Sequence, residues 1–279
     1  MRDHNRPWQS RLIPVVVGVS LFHLVLAGGH LVGAEDKLLM QAVGDLPPGA
    51  PAGQVIGADP ADPKLWPATF VFRNAEGGGC TATAVGRQAI LTAAHCIEDG
   101  AKGSIAVKGF TSEVVCRHHP SYPAETSADF ALCTVAKPLP KLGDGYEVVN
   151  ATSALPAAGQ DVTLLGYGCI QKGGVDKTFG VLYGGRATVH TPATTNLYIV
   201  TKGGAAVCFG DSGGGAYYTV NPGGSIRRLF GVNSRGDISK YSLLSTTANM
   251  TFRDWATKWA SAANLRICGL DERAEDCRQ

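Results

Sequence analysis

The sequence specifies an all-β fold, on three observations. Glycine is abundant (36 of 279 residues) and only 17% of residues are charged, a turn-rich and helix-poor composition. Short apolar runs recur along the chain, separated by turn residues, at the spacing of a β-barrel or sandwich. Helical spacing occurs in one segment only, near the C-terminus. The length suits one large domain or two small ones with ample core. A formal net charge of +2 and no dense basic stripe argue against a nucleic-acid partner.

The N-terminal residues 1–34 read as a signal peptide. Arg2, Arg6 and Arg11 form a positive start, and Leu12 to Leu26 an apolar centre interrupted by Pro14, Gly18 and His23. Small residues Val32-Gly33-Ala34 offer a cleavage point, leaving a chain that starts at Glu35. The apolar centre is short for a membrane span of about 20 residues, so no stable membrane association is expected after removal. An uncleaved anchor is the alternative. No cysteine lies near the cleavage point for lipid attachment, and the even count of eight cysteines fits secretion into an oxidising, extracellular compartment. Residues 35–54, with Pro47, Pro48 and Pro51, read as a pro-segment or linker.

The strand-like runs follow in order. They are Ala68 to Phe72, Thr81 to Val85, Ala89 to Leu91, Ile105 to Val107, Glu113 to Val115 and Phe130 to Leu132 in the first half. Val162 to Leu165, Gly185 to Val189, Tyr198 to Val200, Ala216 to Val220 and Leu229 to Val232 make up the second. Phe252, Trp255, Ala256 and Trp259 recur at helical intervals, with Asn264 as the stop. No repeat of fixed period is present.

The chemistry centres on Cys208-Phe209-Gly210-Asp211-Ser212-Gly213-Gly214-Gly215. A serine among glycines allows close backbone approach, and the N–H groups of Gly210 and Ser212 can face a developing oxyanion. A serine hydroxyl needs a base. After removal of the signal four histidines remain: His95, His118, His119 and His190. His95 follows an apolar strand and adjoins Cys96, so it is held as a general base must be. His118 and His119 precede Pro120 in a turn, and His190 sits at a strand end. Asp129 opens the buried-looking strand Phe130-Ala131-Leu132-Cys133, where a carboxylate needs a partner. Asp99, Asp144, Asp161 and Asp176 lie in turn-like surroundings. The order His95, Asp129, Ser212 is not that of an α/β-hydrolase, which needs its histidine after the serine; nothing around Ser212 supports a subtilisin-type site.

Three blocks in that order, Thr92-Ala93-Ala94-His95-Cys96, Asp129-Phe130-Ala131-Leu132 and Gly210-Asp211-Ser212-Gly213-Gly214, resemble the signatures of the chymotrypsin/trypsin-like serine protease family, its secreted bacterial members more than its vertebrate ones. The resemblance runs from about Val55 to Asn264. It implies two six-stranded antiparallel β-barrels with a C-terminal α-helix: residues 55–150 as the N-terminal barrel with His95 and Asp129, 151–264 as the C-terminal barrel and helix with Ser212, and 265–279 as a disulfide-closed tail. It implies catalytic His95, Asp129 and Ser212, an oxyanion hole at Gly210 and Ser212, a protein or peptide substrate, no cofactor and no metal, in a protein acting as a monomer. His119-Pro120-Ser121-Tyr122 is similar to the loop before the catalytic aspartate, which makes His119 non-catalytic. Ser234 is similar to the family serine that touches the buried aspartate and lines the substrate backbone.

By the same resemblance Val55-Ile56-Gly57-Ala58 is a mature N-terminus, 40 residues before His95. A zymogen follows: an activating protease cuts after Gln54, and the new amine of Val55 pairs with Asp211. Gln54 is not the basic residue that trypsin-like activators prefer. Cys80–Cys96 matches the family disulfide bracing the histidine loop. The usual partner of Cys208 is missing, so Cys169 is assigned to it, leaving Cys116–Cys133 and Cys268–Cys277; spacing alone leaves other connectivities open. Ala206, six before the nucleophile, stands at the pocket floor with no carboxylate to attract Lys or Arg, Gly236 leaves the mouth open, and Ser239 is a further wall residue. Arg235 replaces the usual tryptophan and places a positive charge on one wall, so either an apolar or an acidic guest fits. The rival readings are a catalytically inactive binding protein on the protease fold, an adhesive β-domain, and a metal site from Cys116, His118 and His119, whose spacing fits no standard zinc pattern.

Overall fold

A computed structural model describes residues 56–278, apart from 108, 151, 170–179 and 221–225. The expected signal peptide, the 35–54 segment, Val55 and Asp176 lie outside the described residues. Among the described residues are thirteen strands and one α-helix, and twelve of the strands build two closed six-stranded antiparallel barrels. The first barrel contains β2 (Thr69–Asn74), β3 (Gly79–Gly86), β4 (Ala89–Thr92), β5 (Lys102–Val107), β6 (Phe110–His118) and β7 (Ala131–Val135). Its order is β2-β3-β4-β7-β6-β5, closed by pairing of β2 with β5. The second contains β8 (Asp161–Gly166), β9 (Tyr183–Thr191), β10 (Tyr198–Gly204), β11 (Gly215–Thr219), β12 (Arg227–Gly236) and β13 (Tyr241–Thr246). It runs β8-β9-β10-β13-β12-β11 and closes through β8 and β11, while the short β1 (Asp59–Pro60) adds to the edge of β9. The fold is therefore the all-β, chymotrypsin-like one.

Alternation drives closure. In β2, Phe70 and Phe72 point inward while Arg73 is exposed; in β6, Ser112, Val114 and Cys116 face in and their neighbours face out. Phe70, Phe72, Ile90, Leu91, Ile105 and Leu132 fill the first barrel, and Val162, Leu164, Val189, Ile199, Phe230 and Leu244 the second. Each such side chain contributes roughly 1.5–3 kcal/mol on burial.

Helix α1 (Met250–Ala262) follows the second barrel in sequence but packs on the first: Phe252 meets Phe130 at 4.9 Å between ring centroids. Asn249 caps it, its side chain accepting from Phe252 N at 2.7 Å, and Asn264 ends it with a φ of 53°. The tail continues on the first barrel, where Cys268 N donates to Val85 O (2.8 Å) and Val149 N to Cys268 O (2.9 Å). Four disulfides are present: Cys80–Cys96, Cys116–Cys133, Cys169–Cys208 and Cys268–Cys277. Among the described residues no helix is long and apolar enough to cross a membrane.

One buried ion pair ties the connection between barrels to β12. Arg227 donates from Nε to Glu147 Oε2 (3.0 Å) and from Nη2 to Glu147 Oε1, and its guanidinium lies 3.5 Å from the centre of the Trp66 ring. Both partners are buried. Removing one strands the other's charge, so Glu147→Ala should cost about 3–5 kcal/mol in urea unfolding, and Glu147→Leu combined with Arg227→Met markedly less. Equal losses would show that ring packing, not the charge pair, holds this seam.

Candidate active site

The residues singled out by the sequence come from both barrels. His95 lies in the 3-10 turn Ala94–Cys96 directly after β4, and Asp129 sits just before β7. Because β4 and β7 are hydrogen-bonded neighbours, with Thr92 opposite Ala131, the two side chains leave the same rim of the first barrel. Asp129 is fully buried. Its Oδ2 accepts from His95 Nδ1 and from Ser234 Oγ, each at 2.6 Å, and its Oδ1 accepts from His95 N–H at 2.9 Å. Burial pushes this carboxyl's pKa up, but the His95 imidazole beside it and the three hydrogen bonds outweigh burial and hold it below the ordinary carboxylate value.

An ionised carboxylate only accepts, so His95 Nδ1 must carry the proton that bridges them. That leaves Nε2 unprotonated in the neutral ring. Nε2 is buried and has no hydrogen-bond partner among the described residues, so Ser212 Oγ is not bonded to it. The serine loop is nevertheless fixed against β3, the strand paired with the one that leads to His95. Ser212 O accepts from Thr81 N–H at 2.8 Å and lies 3.7 Å from Cys96 Sγ, one residue from His95. Thr81 Oγ1 donates to Gly210 O (2.8 Å) while accepting from Tyr167 N (3.0 Å), and Thr92 Oγ1 donates to Thr81 O. A Cβ on Gly213 (φ 83°) would lie 2.1 Å from Thr92 Oγ1 and 2.2 Å from Thr81 O. Only glycine lets the loop come this close.

Within the loop, the amides of Asp211, Gly213 and Gly214 donate to Cys208 O, Asn233 O and Asp211 O. Those of Gly210 and Ser212 have no acceptor among the described residues. Asp211 is buried, accepting from Gly168 N and Cys208 N, each at 2.8 Å. Asn233 steadies the same turn, its Nδ2 donating to Leu165 O and Asp211 O. Ile56 and Ala206 exchange two backbone hydrogen bonds, and Ile56 packs with Cys169, Ala206 and Cys208 beside that turn.

Beside Ser212 opens a small pocket lined by Val207, Cys208, Ser234, Arg235, Gly236 and Ile238. Ser234 and Gly236, expected at the substrate, are among these residues. Ala206 lies behind this lining, in its bridge with Ile56, and Ser239 belongs to a turn in which Asp237 Oδ1 accepts from the amides of Ser239, Lys240 and Tyr241. Gly236 is closely packed: a Cβ there would meet Val207 Cγ2 at 2.7 Å. Thr81, Thr92, Asn233 and Ile238 were not singled out from the sequence. Their types carry no chemistry of their own, and their placement depends on how the barrels dock.

The other histidines are spoken for. His118 Nε2 pairs with Ile97 O at 2.6 Å, and His119 is buried edge-on against Trp255 at 5.1 Å. Cys80, His95 and Cys96 bring donor atoms within 4.8 Å of one another, but both sulfurs are in one disulfide and offer no thiolate. Cys116 likewise is bonded to Cys133.

The lowered pKa of Asp129 has a sign for stability. Its contribution is complete above the unfolded-state value of about 3.9 and is lost as pH falls through the lower native value. The difference in unfolding free energy between wild type and Asp129→Asn should therefore shrink between pH 7 and pH 3 in urea titrations. A difference constant over that range would mean the native carboxylate gains nothing from its three donors.

A sequence model of the family described as Trypsin matches residues 55–256. No curated protein matches the chain.

Proposed function

The chain belongs to the trypsin family, a family of serine protease hydrolases, and on that premise we propose that it is an active, secreted serine endopeptidase. The observation that carries the reading is the buried Asp129 carboxylate, which grips His95 through both ring and backbone and leaves Nε2 as the free base. In this mechanism Ser212 Oγ attacks the peptide carbonyl while His95 Nε2 takes its proton. Asp129 keeps the imidazole in one tautomer and stabilises it once charged. The N–H groups of Gly210 and Ser212, left without acceptors by the loop, hold the oxyanion. His95 then passes the proton to the leaving amine, and water, deprotonated by His95, releases the acyl group. The serine–histidine contact tightens on substrate binding, as such contacts commonly do. The chemistry needs no cofactor.

Export is supported by the leader-like residues 1–34 and by four disulfides, which persist in oxidising compartments. Synthesis as a zymogen is supported by the packing of Ile56. Ile56 packs with the Cys169–Cys208 disulfide, and Cys208 N–H donates to the buried Asp211 carboxylate, so the residue after the proposed new N-terminus joins the turn that holds the acid. Secreted, active protein is expected to begin at Val55 on N-terminal sequencing; full activity in a form that begins at Glu35 would overturn the zymogen.

Ser212→Ala should be secreted and folded yet lose peptide hydrolysis by far more than the 10²–10³ typical of one lost oxyanion donor. Wild type should label with a fluorophosphonate probe and the variant should not. Undiminished hydrolysis by Ser212→Ala would refute the assignment, and an unlabelled wild type that still binds peptides would point instead to a binding protein on the protease fold.

A further inference from the structure

We propose that the pocket beside Ser212 selects an acidic side chain on the acyl side of the bond to be cut, with Arg235 as its counter-charge. The inference deepens the protease reading above and rests on it. Of the residues lining the pocket, Arg235 alone is charged; the other walls are Val207, Ile238, Gly236 and the disulfide-bonded Cys208, with Ser234 at the Asp129 end. The Arg235 guanidinium sits by Tyr198 at the Ser234 end of this lining, partly shielded from water, where a charge acts through a weaker dielectric than in open water.

No carboxylate touches it, although the buried Asp129 charge acts on it through space and favours its charged form. Asp129 is held by His95 and Ser234, and Asp237, two residues on, spends Oδ1 on three backbone amides. Among the described residues Arg235 has no carboxylate within 4.0 Å. Its position is set by neutral groups instead. Nε donates to Tyr198 Oη at 3.0 Å, and that hydroxyl in turn donates to Thr126 O at 2.7 Å. Burial holds the Tyr198 and Tyr122 phenols above their ordinary pKa, so both remain neutral and neither cancels the charge. With Nε anchored, the guanidinium is orientated before substrate arrives, and its fork matches a carboxylate better than any other side chain. A lysine or arginine guest meets like charge, and an apolar guest leaves the cation without an anionic contact.

The test uses pairs of peptides that differ only by Glu or Gln, scanned over the acyl-side positions, with the secreted protein. Wild type should cleave the best Glu peptide at least about tenfold faster in kcat/KM than its Gln partner. That ratio should fall towards one in Arg235→Gln, survive in Arg235→Lys, and reverse in favour of Lys peptides in Arg235→Glu. Thermal unfolding checks that each variant is folded. Ser212→Ala supplies a readout independent of turnover: it should bind the Glu peptide more tightly than the Gln peptide, and Ser212→Ala with Arg235→Gln should not. A wild type that labels with fluorophosphonate and cleaves neutral peptides without preferring Glu at any position overturns this inference and leaves the protease reading standing. Failure to label or cleave overturns the protease reading, and equal binding of the two peptides by Ser212→Ala then overturns this one as well.

Discussion

A negative charge sealed from water governs this structure. The Asp129 carboxylate is fully buried, and burying an ion costs several kcal/mol unless its hydrogen bonds are replaced. Its replacements come from two separate units. His95 supplies a ring N–H and a backbone N–H from the first barrel, and Ser234 supplies a hydroxyl from β12 of the second. The carboxylate is satisfied only when the barrels are docked. Docking therefore does two things at once: it compensates the charge, and it fixes His95 with one nitrogen unprotonated. The barrels cannot separate without stranding an ion, and the base cannot turn away without doing the same.

The serine loop is held by a different logic, close backbone contact. Gly213 lies where any side chain would strike Thr92 and Thr81, and Gly166 and Gly168 lie where a side chain would strike Asp211. Thr81 reads the loop twice, through its amide to Ser212 O and through its hydroxyl to Gly210 O. Disulfides then brace each half of the site. Cys80–Cys96 locks the turn that carries His95 to β3, and Cys169–Cys208 locks the turn that carries Ser212 to the strand-end segment cradling Asp211. With these contacts made, the amides of Gly210 and Ser212 are left turned away from the loop's own carbonyls.

Much of this was legible because the sequence states it locally. Phe70 and Phe72, two apart and flanked by Thr69 and Arg73, spell a barrel strand, and Asp129 ahead of an unbroken apolar run spells a carboxylate that must be partnered. What was not legible depends on tertiary pairing. Strand β13, Tyr-Ser-Leu-Leu-Ser-Thr, is not announced by its sequence because three of its six residues are Ser or Thr, yet Ser242, Ser245 and Thr246 are all buried. Ser242 Oγ accepts from Val207 N and Thr246 Oγ1 donates to Phe230 O, so position in the sheet overrides composition. The pocket lining likewise turns on register. β12 shifts register between Asn233 and Arg235, next to the pocket. Ile238 reaches the lining from a φ of 53°, a conformation that nothing in an isoleucine announces.

Two histidines show how environment, not residue type, assigns the role. His95 donates from Nδ1 to a carboxylate, so its Nε2 lone pair is free. His119 does the reverse: its Nδ1 accepts from Ser121 N–H at 3.2 Å, which places the proton on Nε2. No carboxylate faces it; its neighbours are the rings of Phe130 and Trp255, from β7's approach and from α1. Burial lowers its pKa, with only a partial opposing contribution from the backbone at Thr251. A neutral imidazole in that setting packs as a flat ring between the first barrel and the helix that returns to it. Proton transfer demands a ring whose charge can be stabilised at the moment it forms, and of the two only His95 has an anion against it. The helix that follows the second barrel is thus docked on the first by a histidine kept neutral, while the histidine between the barrels lies against an anion that would stabilise its charged form.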